Sequence, residues 1–157
     1  RVEIGNREVV SWDQPMVRSA QEGLMGFIVK KINGIYHFLV QAKLEAGNFD
    51  IVEMAPTVQC LTGNYRNGKN EYTIPYLEQV LNAPNENIWY SSYQSEEGGR
   101  FFQEQNLNII VEVGDEFPIE VEENYCWMTL NQMLSFVTYN NYLNIAARSL
   151  LSAVSFY

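Results

Sequence analysis

The chain has 157 residues, of which 46% are hydrophobic, and this is enough for one domain with a single apolar core. Acidic residues outnumber basic ones by 19 to 10, and the net charge of −9 argues against a nucleic-acid partner. The apolar stretches are far shorter than the roughly 20 residues of a membrane span, and two cysteines imply no disulfide framework. We therefore expect residues 1–157 to form a single module of a longer cytoplasmic protein without a membrane partner.

The clearest local signal is a β-hairpin. Apolar runs at 24–32 and 35–45 flank Asn33-Gly34, a dipeptide typical of a type I′ turn because both central residues need positive φ. The second run alternates, which predicts one face on the core. The opposite face is predicted to become polar toward its end and carries His37, Leu39, Gln41, Lys43 and Glu45.

The middle of the chain predicts further strands and one short helix. A strand at 51–60 contains Pro56, which favours a sheet edge or a bulge, and a polar loop follows at 62–71. The remaining segments are a helix at 75–81, strands at 88–95 and 107–113, and a candidate continuation of the sheet at 119–121.

The C-terminal part predicts two helices. Thr129 and Gln132 form a capping box that begins the first helix. The second helix has an apolar stripe of Leu143, Ala146, Ala147, Leu150, Leu151 and Val154. These elements predict an α+β fold, in which C-terminal helices cover a curved, mostly antiparallel sheet.

Three polar groups are candidates for a functional site. Gln41, Lys43 and Glu45 share one strand face, where Lys43 and Glu45 lie roughly 7 Å apart. This face lines a cleft or is a solvated outer face. A second group consists of neutral hydrogen-bonding residues, which suit hydroxyls or a base edge or else form turns: Thr57, Gln59, Asn64 and Tyr65.

The third group is the segment 94–101, which combines carboxylates, glycines and an arginine. Gln94, Ser95 and Glu96 precede a Gly pair that permits close backbone approach to a ligand. Arg100 can clamp a phosphate or pair locally within an acidic loop. His37 is either an acid–base group or a structural histidine, and an aromatic such as Trp127 can stack on a nucleobase or belong to the core.

Four segments together resemble one known family. They are 37–48, 55–59 with Asn64 and Tyr65, 94–101 with Asn106, Asn108 and 111–113, and 127–132 with Asn144, Arg148 and Ser149. Their order and spacing are similar to the signature of the NDP-hexose 2,3-dehydratases of deoxysugar biosynthesis. The resemblance implies a Nudix-like fold without the Nudix box, and full-length members with two copies of the module that form dimers.

The resemblance also implies a reaction and a substrate. The enzyme is a hydro-lyase that acts on a nucleoside-diphosphate 4-keto-6-deoxyhexose, usually the thymidine form. Because the substrate's own ketone is the electron sink, the reaction needs no cofactor. The implied partners are this nucleotide sugar and either a second copy in a homodimer or the second module of the same chain.

The residues can be matched to the needs of this reaction. Glu45 or Glu96 is the expected base, and Lys43 or His37 the acid or oxyanion donor. Gln41, Thr57, Gln59 and Gln94 are expected on sugar hydroxyls, Arg100 on the diphosphate, and Tyr65 or Trp127 on the base.

Two alternatives remain open at this stage. The chain can be a non-catalytic module that holds nucleotide sugar or stabilises a dimer, although it retains all the polar motifs. A Nudix-type pyrophosphatase is disfavoured because the carboxylate-rich helix of that class is missing from the sequence.

Overall fold

A computed structural model describes residues 1–63, 73–96 and 99–154. Within these residues, a small ribbon and a mixed seven-stranded sheet are accompanied by three α-helices and a short 3₁₀ turn at Asn85–Asn87. The ribbon is β1 (Val2–Glu3) and β2 (Ser11–Trp12); the sheet is β3 (Gly23–Ile32), β4 (Ile35–Leu44), β5 (Val52–Ala55), β6 (Val58–Leu61), β7 (Ile88–Ser95), β8 (Gln105–Val113) and β9 (Tyr125–Thr129); the helices are α1 (Leu77–Leu81), α2 (Leu130–Val137) and α3 (Ile145–Leu151). No described helix is long and apolar enough to cross a membrane.

Two local predictions are confirmed in detail. Asn33 and Gly34 have φ of 50° and 82°, as the predicted type I′ turn between β3 and β4 requires. The Thr129 hydroxyl accepts from the Gln132 amide, and the Gln132 side chain accepts from the Thr129 amide, which completes the capping box of α2.

Both faces of the sheet are covered. The first face packs Phe27 and Phe38 against α2 and α3, and the second face packs Ile28 and Leu39 against α1. The face of β4 that is predicted to become polar toward its end is itself covered in the middle of the strand, where Leu39 is 0% exposed. The predicted α+β class with a mostly antiparallel sheet is confirmed, with one parallel pair between β3 and β8.

The sheet splits into two arms beyond the hairpin. The direct pairing of β3 with β4 ends at Val29↔Phe38. Beyond this point β3 pairs with β6, and β4 pairs with β5. The split follows from Pro56-Thr57, because the predicted strand at 51–60 is in fact two strands, each of which joins a different arm.

Thr57 closes the point where the arms diverge. Its hydroxyl accepts from the amide of Ile28 at 2.9 Å and donates to the carbonyl of Leu39 at 2.5 Å. Ile28 and Leu39 would be the next pair in the register of β3 and β4. The Thr57 side chain thus replaces the missing backbone bond between the two strands.

Two other boundaries differ from the prediction. Residues 119–121 form no strand, and the sheet continues instead with β9, which pairs with β4 from His37↔Thr129 to Gln41↔Tyr125. Helix α3 begins at Ile145, because the Asn144 side chain caps it by accepting from the amide of Ala147.

Candidate active site

One candidate site is a chain of three side chains that we call the Glu45 cluster: Glu45, Gln59 and Asn144. Glu45 Oε1 accepts from Gln59 Nε2 at 2.8 Å, and Gln59 Oε1 accepts from Asn144 Nδ2 at 2.7 Å. Asn144 Nδ2 also lies 3.5 Å from Glu45 Oε2. The carboxylate is exposed, whereas Asn144 is only 4% exposed, so a buried amide holds a carboxylate that solvent or substrate can reach.

Lys43 lies beside this cluster. Its ammonium donates to the backbone carbonyl of Gln59 at 3.4 Å, a long bond that leaves most of its donor capacity free. Burial raises the pKa of the nearby Cys60 thiol to about 11, and the charge of Lys43 opposes this shift. Lys43 and Glu45 therefore both contact Gln59, the first at its backbone carbonyl and the second at its side chain.

A second set of polar residues lies where β7 and β8 pair, and we call Gln94, Glu96, Asn106 and Asn108 the Glu96 cluster. Asn106 donates to Glu96 Oε2 at 3.0 Å and accepts from the Gly23 amide at 2.8 Å. Asn108 donates to the Asn106 carbonyl at 3.0 Å, but its buried Oδ1 has no partner among the described residues. Gln94 donates to the Tyr90 hydroxyl at 2.8 Å.

The register of the sheet places Gln59 and Asn108 on the first face, and Glu45, one residue past the end of β4, meets the Gln59 side chain there. Met25 pairs with Gln59 on one side and with Asn108 on the other, and directly paired residues point to the same face. Met25 itself packs against the core under α2 and α3. Gln59 and Asn108 are two strands apart, which corresponds to about 10 Å.

Other predicted residues lie on the second face. Trp127 donates from Nε1 to the Ile119 carbonyl at 3.0 Å and packs in the core near α1. His37 shares the parity of Leu39, and its Nδ1 lies 2.9 Å from the Ile35 carbonyl oxygen. Gln41 donates to the hydroxyl of Tyr125.

The remaining candidates fall in several places. Thr57 is 0% exposed and uses its hydroxyl within the sheet, so it does not face solvent. Arg100 has an exposed side chain, and its carbonyl accepts from the Val17 amide at 2.8 Å. Ser95 is the exposed last residue of β7. Asn64 and Tyr65 lie outside the described residues.

A cleft of about 630 Å³ opens next to the Glu96 cluster. Arg18 lies on its wall with its guanidinium 6.0 Å from the centre of the Phe102 ring. Glu104, another wall residue, accepts through its carbonyl from the Glu96 amide at 2.9 Å. Arg18 also directly follows Val17, which binds the Arg100 carbonyl, so both arginines lie on adjoining segments.

The residues that sequence reasoning did not assign to the site are Arg18, Asn106, Asn108 and Asn144. The sequence does indicate that Asn106 and Asn108 share one face, because they lie two positions apart at the start of an otherwise apolar strand. Asn144 carries only the local signal of a helix cap. Its contact with Gln59 joins residues 85 positions apart, and no local pattern encodes such a contact.

Known proteins match this chain over most of its length. The profile of the family described as "NDP-hexose 2,3-dehydratase" matches residues 1–154. The dTDP-4-dehydro-6-deoxy-alpha-D-glucopyranose 2,3-dehydratase of Streptomyces violaceoruber is 43% identical over 98% of this chain and 34% of its own length. An enzyme of the same name from Saccharopolyspora spinosa is 43% identical over 95% of this chain and 31% of its own length. The chain thus spans about a third of these relatives.

A solved structure supports the fold. The crystal structure of an ADP compounds hydrolase matches with a TM-score of 0.52 at 11% identity, covering 88% of this chain and 73% of that chain. At this identity the likeness concerns the fold alone, and it confirms the Nudix-like architecture that the family resemblance implied. With the family profile covering nearly every residue, this chain belongs to the NDP-hexose 2,3-dehydratase family.

Proposed function

We propose that this chain is a catalytic module that dehydrates a nucleoside-diphosphate 4-keto-6-deoxyhexose, in the thymidine form that the relatives' names specify. The observation that carries the proposal is the Glu45 cluster. An exposed carboxylate is held by two amide donors, and the Lys43 ammonium contacts the backbone carbonyl of Gln59, one of the two donor residues. These groups match a reaction that needs a base and a donor for a developing oxyanion.

The base in this proposal is Glu45. The 4-keto group acidifies the hydrogen on carbon 3, and Glu45 takes it as a proton. The electron pair of that bond enters the ketone as an enolate, whose oxygen the Lys43 ammonium stabilises. Lys43 suits this role because its hydrogen bond to the Gln59 carbonyl is long, at 3.4 Å, and an ammonium group has three protons to donate.

The leaving group is the hydroxyl on carbon 2. The enolate's electrons return and expel it, and the proton held on Glu45 completes a water molecule. Carbons 2 and 3 are then joined by a double bond with a hydroxyl on carbon 3. This enol tautomerises to a 3,4-diketo-2,6-dideoxy sugar, so the sum of the reaction is loss of one water with no net oxidation.

The Glu96 cluster is proposed to bind the sugar. Its amides are on the same sheet face as Gln59, and carboxylates and amides bind hydroxyls. The adjoining cleft is proposed to take the nucleoside diphosphate, with Arg18 and Arg100 near the phosphates. In this proposal Thr57, Gln41, His37 and Trp127 support the fold instead of touching substrate.

The context of the module is also proposed. We place a second module beside it, either in the same chain or as the other copy of a homodimer, because this chain spans about a third of its relatives. A cytoplasmic location fits the free thiols of Cys60 and Cys126, since thiols persist in a reducing compartment.

The direct test is incubation of the purified chain with thymidine-diphosphate 4-keto-6-deoxyglucose, followed by mass spectrometry with a ketone trap. We expect loss of one water and trapping of a diketo product. Binding by calorimetry without loss of water would overturn the catalytic proposal in favour of a binding module. Absence of both would overturn both.

A further inference from the structure

The orientation of the Asn144 amide is set by the helix that it begins. Its Oδ1 accepts from the backbone amide of Ala147 at 2.9 Å, and a backbone N–H can only donate. The same residue donates its backbone amide to Met54 at 2.9 Å and accepts at its carbonyl from Arg148 at 3.1 Å. Asn144 is therefore held at three points, and its Nδ2 faces away from the helix.

This orientation determines that of Gln59. Asn144 Nδ2 can only donate, so Gln59 must present Oε1 to it, which is the contact at 2.7 Å. The other end of the same amide is then Nε2, which meets the Glu45 carboxylate at 2.8 Å. Each hydrogen bond in the series fixes the polarity of the next one.

We propose that Asn144 and Gln59 are positioning residues, which together aim the Glu45 carboxylate at the substrate. The inference rests on the proposed function, since it takes Glu45 as the base. Neither residue needs to touch the substrate. Gln59 acts on Glu45 directly, and Asn144 acts on it through Gln59 and through its own longer contact at 3.5 Å.

The split sheet explains why such a series is needed. Glu45 directly follows β4 in one arm, and Gln59 belongs to β6 in the other arm. The backbone pairing of β3 with β4 ends well before Glu45, so the side chains maintain the relative position of the arms at this end. An error of about 1 Å at a catalytic group can reduce a rate about 10²-fold.

The test uses Asn144→Asp, which separates the two roles of the residue. Aspartate is as good an N-cap as asparagine, so α3 stays capped. Its second oxygen, however, accepts where Nδ2 donated, so Gln59 turns its Nε2 toward residue 144 and its Oε1 toward Glu45. Two acceptors then face each other, and we expect kcat to fall about 10²-fold with little change in KM.

A second variant and a control accompany it. Asn144→Ser also caps a helix, but its shorter side chain does not reach Gln59 Oε1, so Gln59 keeps only its bond to Glu45 and we expect a smaller fall in kcat. If Asn144→Asp does not fold, Asn144→Ser decides the question alone. The matched control is Asn140→Asp, the same change at an exposed residue of the turn before α3, with kcat unchanged.

A second readout does not depend on turnover. The ¹⁵N side-chain amide signals of Gln59, identified by their loss in Gln59→Glu, should shift and become more mobile in both Asn144 variants. Signals that do not move, an unchanged kcat, or a rise of KM in place of the fall in kcat would each overturn the inference. If the wild-type chain loses no water, the proposed function fails, while the amide signals still decide whether Asn144 orients Gln59.

Discussion

The two faces of the sheet use polar side chains differently. On the second face, Lys30 donates to the Gly114 carbonyl at 2.5 Å and Trp127 donates to the Ile119 carbonyl at 3.0 Å. On the first face, Gln59 and Asn106 donate to the carboxylates of Glu45 and Glu96. The bonds of Lys30 and Trp127 to backbone carbonyls stabilise the fold. The bonds of Gln59 and Asn106 instead orient a carboxylate that remains able to bind or deprotonate a substrate. The two carboxylates bound by amides thus mark the part of the first face that we assign to chemistry.

The largest expected effect is that of Glu45→Gln, which removes the proposed base from the first face. We expect turnover to fall about 10² to 10⁴-fold, the usual contribution of a general base. In D₂O, the wild-type chain should exchange the carbon-3 hydrogen of the substrate, and the variant should not, as nuclear magnetic resonance would show.

The control for this change is Glu86→Gln, at an exposed residue of the 3₁₀ turn, for which we expect wild-type exchange. If His37→Asn lost carbon-3 exchange while Glu45→Gln retained it, the base would be His37 on the second face. The assignment of chemistry to the first face would then be wrong.

Thr57→Val tests the junction between the arms. Valine has nearly the same shape but leaves the Ile28 amide and the Leu39 carbonyl buried without a partner. We expect the free energy of unfolding to fall by about 1–3 kcal/mol in urea titrations. Thr138→Val, which removes an exposed bond to the Ser135 carbonyl, should cost less than about 0.5 kcal/mol. Equal losses in the two variants would show that Thr57 does not hold the arms.

Glu96→Gln sharpens the comparison within the first face. The variant weakens the bond from Asn106 and a proposed contact to the sugar. Since one charged hydrogen bond is worth about 1.5–3 kcal/mol, we expect KM to rise about tenfold with a smaller change in kcat. Loss of carbon-3 exchange in this variant would instead make Glu96 the base.

The smallest effect concerns pH and the second face. Burial raises the pKa of Tyr125 from 10.0 to about 12, while the bond from Gln41 opposes this shift. A group whose pKa is raised by folding stabilises the fold below its unfolded pKa, and this stability is lost as the pH rises through the folded value. The free energy of unfolding should therefore decline between about pH 10 and 12, and less steeply in Tyr125→Phe. Parallel declines in both proteins would exclude Tyr125 as the cause.

Local signals determined much of the fold. The Asn33-Gly34 turn and the Thr129–Gln132 capping box involve contacts within four positions, and both form as predicted. The same kind of reasoning selected Glu45, Gln59 and Glu96 as site candidates, because polar residues in or next to a predicted strand stand out from its apolar pattern. Composition and the resemblance of ordered segments then identified the family.

Only the tertiary structure decided which of these residues meet. Alternation along β4 grouped His37 with Glu45, but helix α1 covers the middle of that face, and Glu45 lies beyond the last residue of the strand. Because the sheet splits at Thr57, Gln59 pairs with β3 in the arm that does not contain Glu45. Asn144, which is 85 positions away in the sequence, donates to the Gln59 side chain. Such contacts depend on how elements that are far apart in the sequence pack against each other, and a pattern of neighbouring residues contains no information about that packing.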